Sequence, residues 1–214
     1  MRILIDHVTK VLGGNRVLDD VCLELHSGNV YGFQGINASG KTMLLRAVAG
    51  LIKPTTGRVC IDGVTLGQKY DFPESMGVLI ENPAFLPEYT GFQNLKLLAE
   101  LKHRISDKEI RQSIWDVGLR PGDKRKYRKY SLGMKQRLGV AAALMERPEL
   151  ILLDEPTNAL DEDGVELVQR LILREKERGA LILLACHDAS VLEGVSDEIY
   201  KVAEGKVRVR KNEE

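Results

Sequence analysis

Eight consecutive residues restrict this chain more than anything else in it: Gly35, Ile36, Asn37, Ala38, Ser39, Gly40, Lys41 and Thr42 spell G-x-x-x-x-G-K-[ST]. The string carries meaning only between a strand and a helix, and both are predicted here. Residues 29–34 read as a strand, and residues 41–50 place Leu44, Leu45 and Val48 at helical spacing before Pro54 and Gly57 stop the helix. A loop of inward-pointing amides that closes on a helix N-terminus offers donors and a positive dipole end to phosphate oxygens. Lys41 adds a point charge for β and γ phosphates, and the Thr42 hydroxyl is placed to ligate a magnesium ion that keeps most of its waters. The predicted substrate is a nucleoside triphosphate.

The surrounding pattern is α/β. Strands are predicted at 2–8 and 17–25, joined by a turn at Gly13, Gly14 and Asn15, and again at 58–61 and 76–80. Residues 91–145 read as helical throughout. Within them Ser106 and Glu109 form a capping-box signal before Ile110, Ile114 and Val117, and Gly118 ends that helix. The last third alternates buried strand (150–153), helix (161–178), buried strand (180–186) and a hairpin at Glu204 and Gly205. With 214 residues, 43% of them apolar, the chain can bury a core as one cooperative unit.

Charge and cysteine usage narrow the setting. Thirty-one basic residues cancel 31 acidic ones, so no global field draws the chain to nucleic acid, and no direct nucleic-acid partner is expected. The longest apolar runs, 138–145 and 180–186, fall far short of the roughly 20 residues that span a bilayer. Residues 1–6 lack a secretion-signal pattern, and three scattered cysteines build no disulfide framework. A reducing cytoplasm is the expected setting.

Residues 150–153 deliver Asp154 and Glu155 to the C-terminal end of a buried strand, where open α/β sheets bind ligands. Asp154 is suited to orienting magnesium and Glu155 to polarising the attacking water. With no N-K-x-D or T-K-x-D string to read guanine, adenine is the predicted base. Upstream, Tyr130, Ser131, Leu132, Gly133, Met134, Lys135, Gln136 and Arg137 precede an alanine-rich helix whose N-terminal amides can hold a phosphate.

Through that string the chain resembles the ATP-binding subunit of an ABC transporter. Residues 131–136 match the family signature, 150–155 its Walker B strand, 158–161 its D-loop and His187 its switch histidine. The resemblance implies a P-loop NTPase core of ABC-ATPase type with an N-terminal antiparallel β subdomain and a helical subdomain. The core falls at 1–82 and 147–214 and the helical subdomain at 83–146. It implies ATP and Mg²⁺ as ligands, with Glu155 and His187 catalytic and Thr42, Glu81 and Asp154 at the metal. It places nucleotide on Leu12, Gly35, Asn37, Ala38, Ser39, Gly40, Lys41, Thr42 and Met43. The signature residues Ser131, Gly133 and Gln136 then complete the site of a second subunit, identical or not. The partner in the membrane is a separate permease, which holds the ATPase at the cytoplasmic face.

Four positions depart from the family pattern, among them Met43, which stands where a threonine is common. Ala38 stands where most members carry glycine, which costs on the order of 1 kcal/mol if that residue needs positive φ. Leu12 replaces the aromatic ring that stacks on adenine. Glu81 replaces the glutamine that touches magnesium, and the run Ile80, Glu81, Asn82, Pro83, Ala84, Phe85, Leu86, Pro87 is similar to ATPases that export bacitracin or lantibiotic peptides or confer immunity to them. In that architecture Phe85, Leu86, Tyr89 and Phe92 are candidates for a docking groove facing the permease, with packing of the small lobe as the competing reading, while the basic stretch 120–129 reads as a solvated loop, the other readings being lipid headgroups or nucleic acid stacked on Tyr127 and Tyr130. The alternative functions are an ATP-dependent sensing module and a soluble ABC-type ATPase acting on nucleic acid or ribosomes.

Overall fold

The computed structural model describes residues 1–81 and 83–210. The Asn82 position of the run above, and the last four residues of the expected core, lie outside the described residues. The strands form two sheets. In the first, β1 (Arg2–Leu12), β2 (Asn15–His26), β4 (Thr56–Ile61) and β5 (Val64–Thr65) pair antiparallel in the order β2-β1-β4-β5. The second has the order β10-β9-β3-β8-β7-β6. Here β3 (Val30–Gln34), β6 (Met76–Leu79), β7 (Leu150–Asp154), β8 (Leu181–Cys186) and β9 (Glu198–Ala203) run parallel, and only β10 (Lys206–Val209) is antiparallel.

Every residue of β7 and β8 is buried. That is why those strands are unbroken aliphatic runs rather than alternating ones: both faces of the central sheet are covered. One face packs on α1 (Lys41–Val48) and the antiparallel sheet through Phe33, Leu44, Leu152 and Leu183. The other packs on the helices through Ile151, Leu153, Ile182 and Leu138. Those helices are α2 (Gly91–Ala99), α3 (Asp107–Asp116), α4 (Leu132–Leu144) and α5 (Glu162–Glu177), with the short α6 (Ala189–Glu193) beside β8.

Several sequence boundaries are corrected. The segment 91–145 is not helical throughout: α3 stops at its C-cap Val117, Gly118 turns at φ 74°, and helix resumes only at Leu132, with a single 3₁₀ turn at Tyr127–Lys129 between. That stretch instead pairs with the chain before α2, the Tyr127 amide donating to the Tyr89 carbonyl at 2.8 Å and the Tyr127 hydroxyl to the Pro83 carbonyl at 2.6 Å. Asn15 belongs to β2 rather than to the turn, and α1 ends two residues early. The Ser106–Glu109 capping box forms in both directions, and a second one, Thr90 with Gln93, opens α2.

Parallel register sets the functional edge. Gln34 lies opposite Cys186, Asp154 opposite Ala185, and Leu79 opposite Leu153. The loops leaving β3, β6, β7 and β8 therefore emerge together at the C-terminal edge of the sheet.

Candidate nucleotide site

The loop between β3 and α1 is held by backbone geometry. Gly40 caps α1 at φ 116° without a side-chain hydrogen bond, and no acidic residue occupies the first turn, so the helix N-terminus keeps free amides and an uncompensated positive end. A Cβ at Gly40 would sit 2.8 Å from the Val17 carbonyl oxygen. Ala38 does adopt positive φ, 63°. Together with Thr42, Met43, Glu81, Asp154 and Glu155, residues 36–41 line a cavity of about 330 Å³.

Inside that cavity the charged side chains already hold one another. Lys41 is buried, its ammonium donating to the carbonyls of Gly35 at 2.6 Å and Ile36 at 3.2 Å and standing 3.4 Å from Glu155 Oε1. The Thr42 hydroxyl donates to Asp154 Oδ2 at 2.6 Å, while buried Asp154 Oδ1 has no hydrogen-bond partner. Burial pushes the Asp154 carboxyl up, against the Thr42 hydrogen bond that lowers it. A hydroxyl oxygen, a carboxylate with an unused lone pair and a cavity lined by oxygen donors fit a hard divalent cation such as Mg²⁺. Glu81 lines the same cavity, but its carboxylate pairs with Arg46 at 2.7 Å. Arg46 was missed from the sequence, although it lies one helical turn after Thr42 on α1 and so faces the same side.

Glu155 follows β7 at φ 48° with its amide bonded to the Ala185 carbonyl at 2.8 Å. Its Oε2 sits 2.8 Å from His187 Nδ1 and accepts weakly from the His187 amide at 3.4 Å. Next to this pair, burial pushes the Cys186 thiol up to about 11, so it stays neutral and inert. Gln136 does not face a ligand cavity. It is buried, its amide donates to the Glu155 carbonyl at 2.9 Å, and it is not among the residues that line either the phosphate cavity or the one at Ser131.

The remaining signature residues lie elsewhere. Ser131 is the N-cap of α4, its oxygen accepting from the Met134 amide at 3.2 Å. With Gly133, Ala159, Leu160 and Asp161 it lines a separate, open cavity of about 480 Å³. Gly133 is required there, since a Cβ would sit 2.8 Å from the Ala159 carbonyl oxygen. Arg137 donates to Asp161, the N-cap of α5, at 2.9 Å and locks the two helix starts together. Leu12 is half-exposed at the end of β1 and lies outside the residues lining the phosphate cavity. Of the docking candidates in the helical lobe, Phe85 packs edge-on against Tyr127 and Phe92 lies under Arg111, whereas Leu86 and Tyr89 are exposed. In the basic stretch, Arg125 pairs with Asp123 and Arg128 with Glu88, and all six cations are exposed.

Comparison with known proteins places these features in context. The family profile described as ABC transporter matches residues 18–158. Over 201 residues the chain is 44% identical to an uncharacterized ABC transporter ATP-binding protein, YybJ, of Bacillus subtilis, covering 94% of this chain and 92% of that one. It is 38% identical to the bacitracin transport ATP-binding protein BcrA of Bacillus licheniformis over 94% of its length, spanning 66% of that longer relative. Identity to the lantibiotic transport ATP-binding protein SrtF of Streptococcus pyogenes is 32%, covering 97% and 89% of the two chains. Among solved structures, the dimeric bacterial ABC transporter cassette MJ0796 superposes with a TM-score of 0.86 at 26% identity over 98% of both chains, and a post-hydrolysis dimer of the same cassette holds ADP and Pi.

Proposed function

The chain belongs to the ABC transporter family as an ATP-binding, ATP-hydrolysing subunit, and from that premise we propose that it drives export of a peptide antibiotic, or immunity to one, through a separate permease. The observation that carries the reading is the convergence of Lys41, Thr42, Asp154, Glu155 and His187 at one sheet edge, on a loop that ends in an unsatisfied helix N-terminus. The transporter reading is favoured over an ATPase acting on nucleic acid or ribosomes, because the relatives are transporter subunits. Among the described residues no helix is long and apolar enough to cross a membrane, which is consistent with a permease on another chain holding this one at the cytoplasmic face.

The chemistry follows from the pairings. The triphosphate takes the loop amides and draws the Lys41 ammonium off the Gly35 and Ile36 carbonyls and away from Glu155. Glu155, relieved of that cation, accepts a proton from the attacking water, and His187, 2.8 Å away, fixes the carboxylate. Thr42 and Asp154, with Glu81 if it leaves Arg46, would hold Mg²⁺, which when bound neutralises charge on the phosphate oxygens. Ser131 and Gly133 line a different cavity from the phosphate loop, which supports a head-to-tail dimer in which each signature closes the partner's nucleotide. We assign residues 1–82 and 147–214 to the ATPase core and 83–146 to the helical subdomain that meets the permease through the exposed Leu86 and Tyr89.

Glu155→Gln tests this reading. Single-turnover phosphate release should fall by roughly 10²–10⁴-fold while ATP binding persists and an ATP-bound dimer accumulates in light scattering. An unchanged rate removes Glu155 from the chemistry.

A further inference from the structure

The outer face of the antiparallel sheet carries a second cluster of ligand-type side chains, built by two irregularities in the β1–β2 pairing. Between the pairs Ile5–Leu23 and Val8–Val21, Asp6 and His7 stand opposite Cys22 alone. Between Val8–Val21 and Lys10–Leu18, Thr9 stands opposite Asp19 and Asp20. Each is a bulge, one on each strand, and each places a residue in the left-handed region: His7 at φ 49° and Asp20 at φ 52°. The bulges bring His7 Nδ1 to 2.7 Å from Asp20 Oδ1, with Cys22 exposed beside them. One donor atom from each of the three residues lies within 4.8 Å of the others.

An imidazole nitrogen, a carboxylate oxygen and a thiol sulfur are the donors that first-row cations of zinc type select, whereas magnesium and calcium take oxygen alone. We propose that His7, Asp20 and Cys22 form a surface site for a zinc-class divalent cation, with water in the fourth position. Bonds of about 2.0–2.3 Å in a tetrahedron set neighbouring donors about 3.3–3.7 Å apart. Reaching that spacing from a 4.8 Å span asks only for side-chain rotation, which solvent exposure permits. The ion replaces the proton that now joins His7 to Asp20. Binding releases it together with the Cys22 thiol proton. None of the three residues lines the phosphate cavity, so this site is independent of the ATPase reading. The other such cluster among the described residues, Glu155 with Cys186 and His187, belongs to the catalytic loop, and its thiol is buried.

The test is a Co²⁺ titration of the full chain after chelator treatment, followed by thiolate-to-cobalt charge-transfer absorption and then by Zn²⁺ displacement. A saturable band of one equivalent is expected, absent in Cys22→Ser and at least about tenfold weaker in affinity in His7→Asn and in Asp20→Asn. Asparagine tolerates the left-handed backbone, so those variants keep the bulges. No band, a band that survives Cys22→Ser, or affinity unchanged in both asparagine variants overturns the site.

Discussion

The phosphate loop and the signature face use the same device, a helix N-terminus, in opposite states. At α1 the end is uncapped, and Lys41, Asp154 and Glu155 crowd against it, occupied with one another. At α4 the end is capped by Ser131 and opens to solvent, and the charges beside it, Arg137 and Asp161, are already paired with each other. The difference teaches that the first site must exchange internal partners for ligand, while the second is finished and lacks only something to cover. Binding at the first therefore depends on charge, and closure at the second on surface shape.

Lys41→Ala attacks the charged side of that contrast and should have the larger effect. Losing an ammonium that makes charge-assisted hydrogen bonds is worth roughly 1.5–3 kcal/mol, so nucleotide affinity should fall roughly 10- to 150-fold in a fluorescent-ATP titration. Full affinity in the variant would mean that the amides alone hold the phosphates. On the open side, Ser131→Arg should leave binding to the single chain unchanged within about twofold, yet lower steady-state hydrolysis by roughly 10- to 100-fold, because the partner's nucleotide loses a donor. The lost cap removes about 1 kcal/mol, too little to unfold the chain, and a thermal melt checks this. Weakened binding to the monomer would erase the distinction between the two helix ends.

Local chemistry is what the sequence displays most directly. The strand, glycine loop and helix around residues 35–42 were legible because glycine, lysine and threonine at that spacing leave few alternatives, and the carboxylates after β7 were legible from the unbroken aliphatic run before them. What could not be read depended on tertiary pairing. Residues 118–131 were read together with the helices on either side, although Gly118, Pro121 and Gly122 break helix there, and two of their amides go to the segment before α2, Tyr127 to Tyr89 and Arg128 to Pro87. Gln136 was assigned to nucleotide because it sits in the signature, yet the turn of α4 directs it inward to the Glu155 carbonyl. Arg46 drew no attention, since its partner Glu81 is 35 residues away.

A smaller effect concerns what the crowded site does to the resting fold. Burial raises the Asp154 carboxyl pKa in the folded chain, so the ionised form at neutral pH works against folding. The sign is fixed by linkage: this penalty is complete above the raised folded pKa and vanishes below the ordinary carboxylate range, about 3.9. Asp154→Asn should therefore raise the melting temperature of the ligand-free chain by a few degrees, about 2–4 °C per kcal/mol at this size, and the gain should shrink as pH falls. Hydrolysis should be lost in the same variant. A variant that melts lower at neutral pH would show that the Thr42–Asp154 hydrogen bond outweighs the burial of the charge.

The smallest expected change isolates the backbone of the loop from its charges. Ala38 sits at φ 63°, where a Cβ costs about 1 kcal/mol, whereas glycine adopts that geometry freely. Against that relief, glycine widens the unfolded ensemble by about 0.4–1 kcal/mol. The two terms nearly cancel, leaving at most about 0.6 kcal/mol, so Ala38→Gly should move the melting temperature by no more than about 2 °C, upward, and leave ATP affinity within about twofold. If affinity instead fell while stability held, the restricted backbone of Ala38 would be preorganising the amides. The uncapped helix end would then owe its phosphate affinity to loop rigidity as well as to the charges that crowd it.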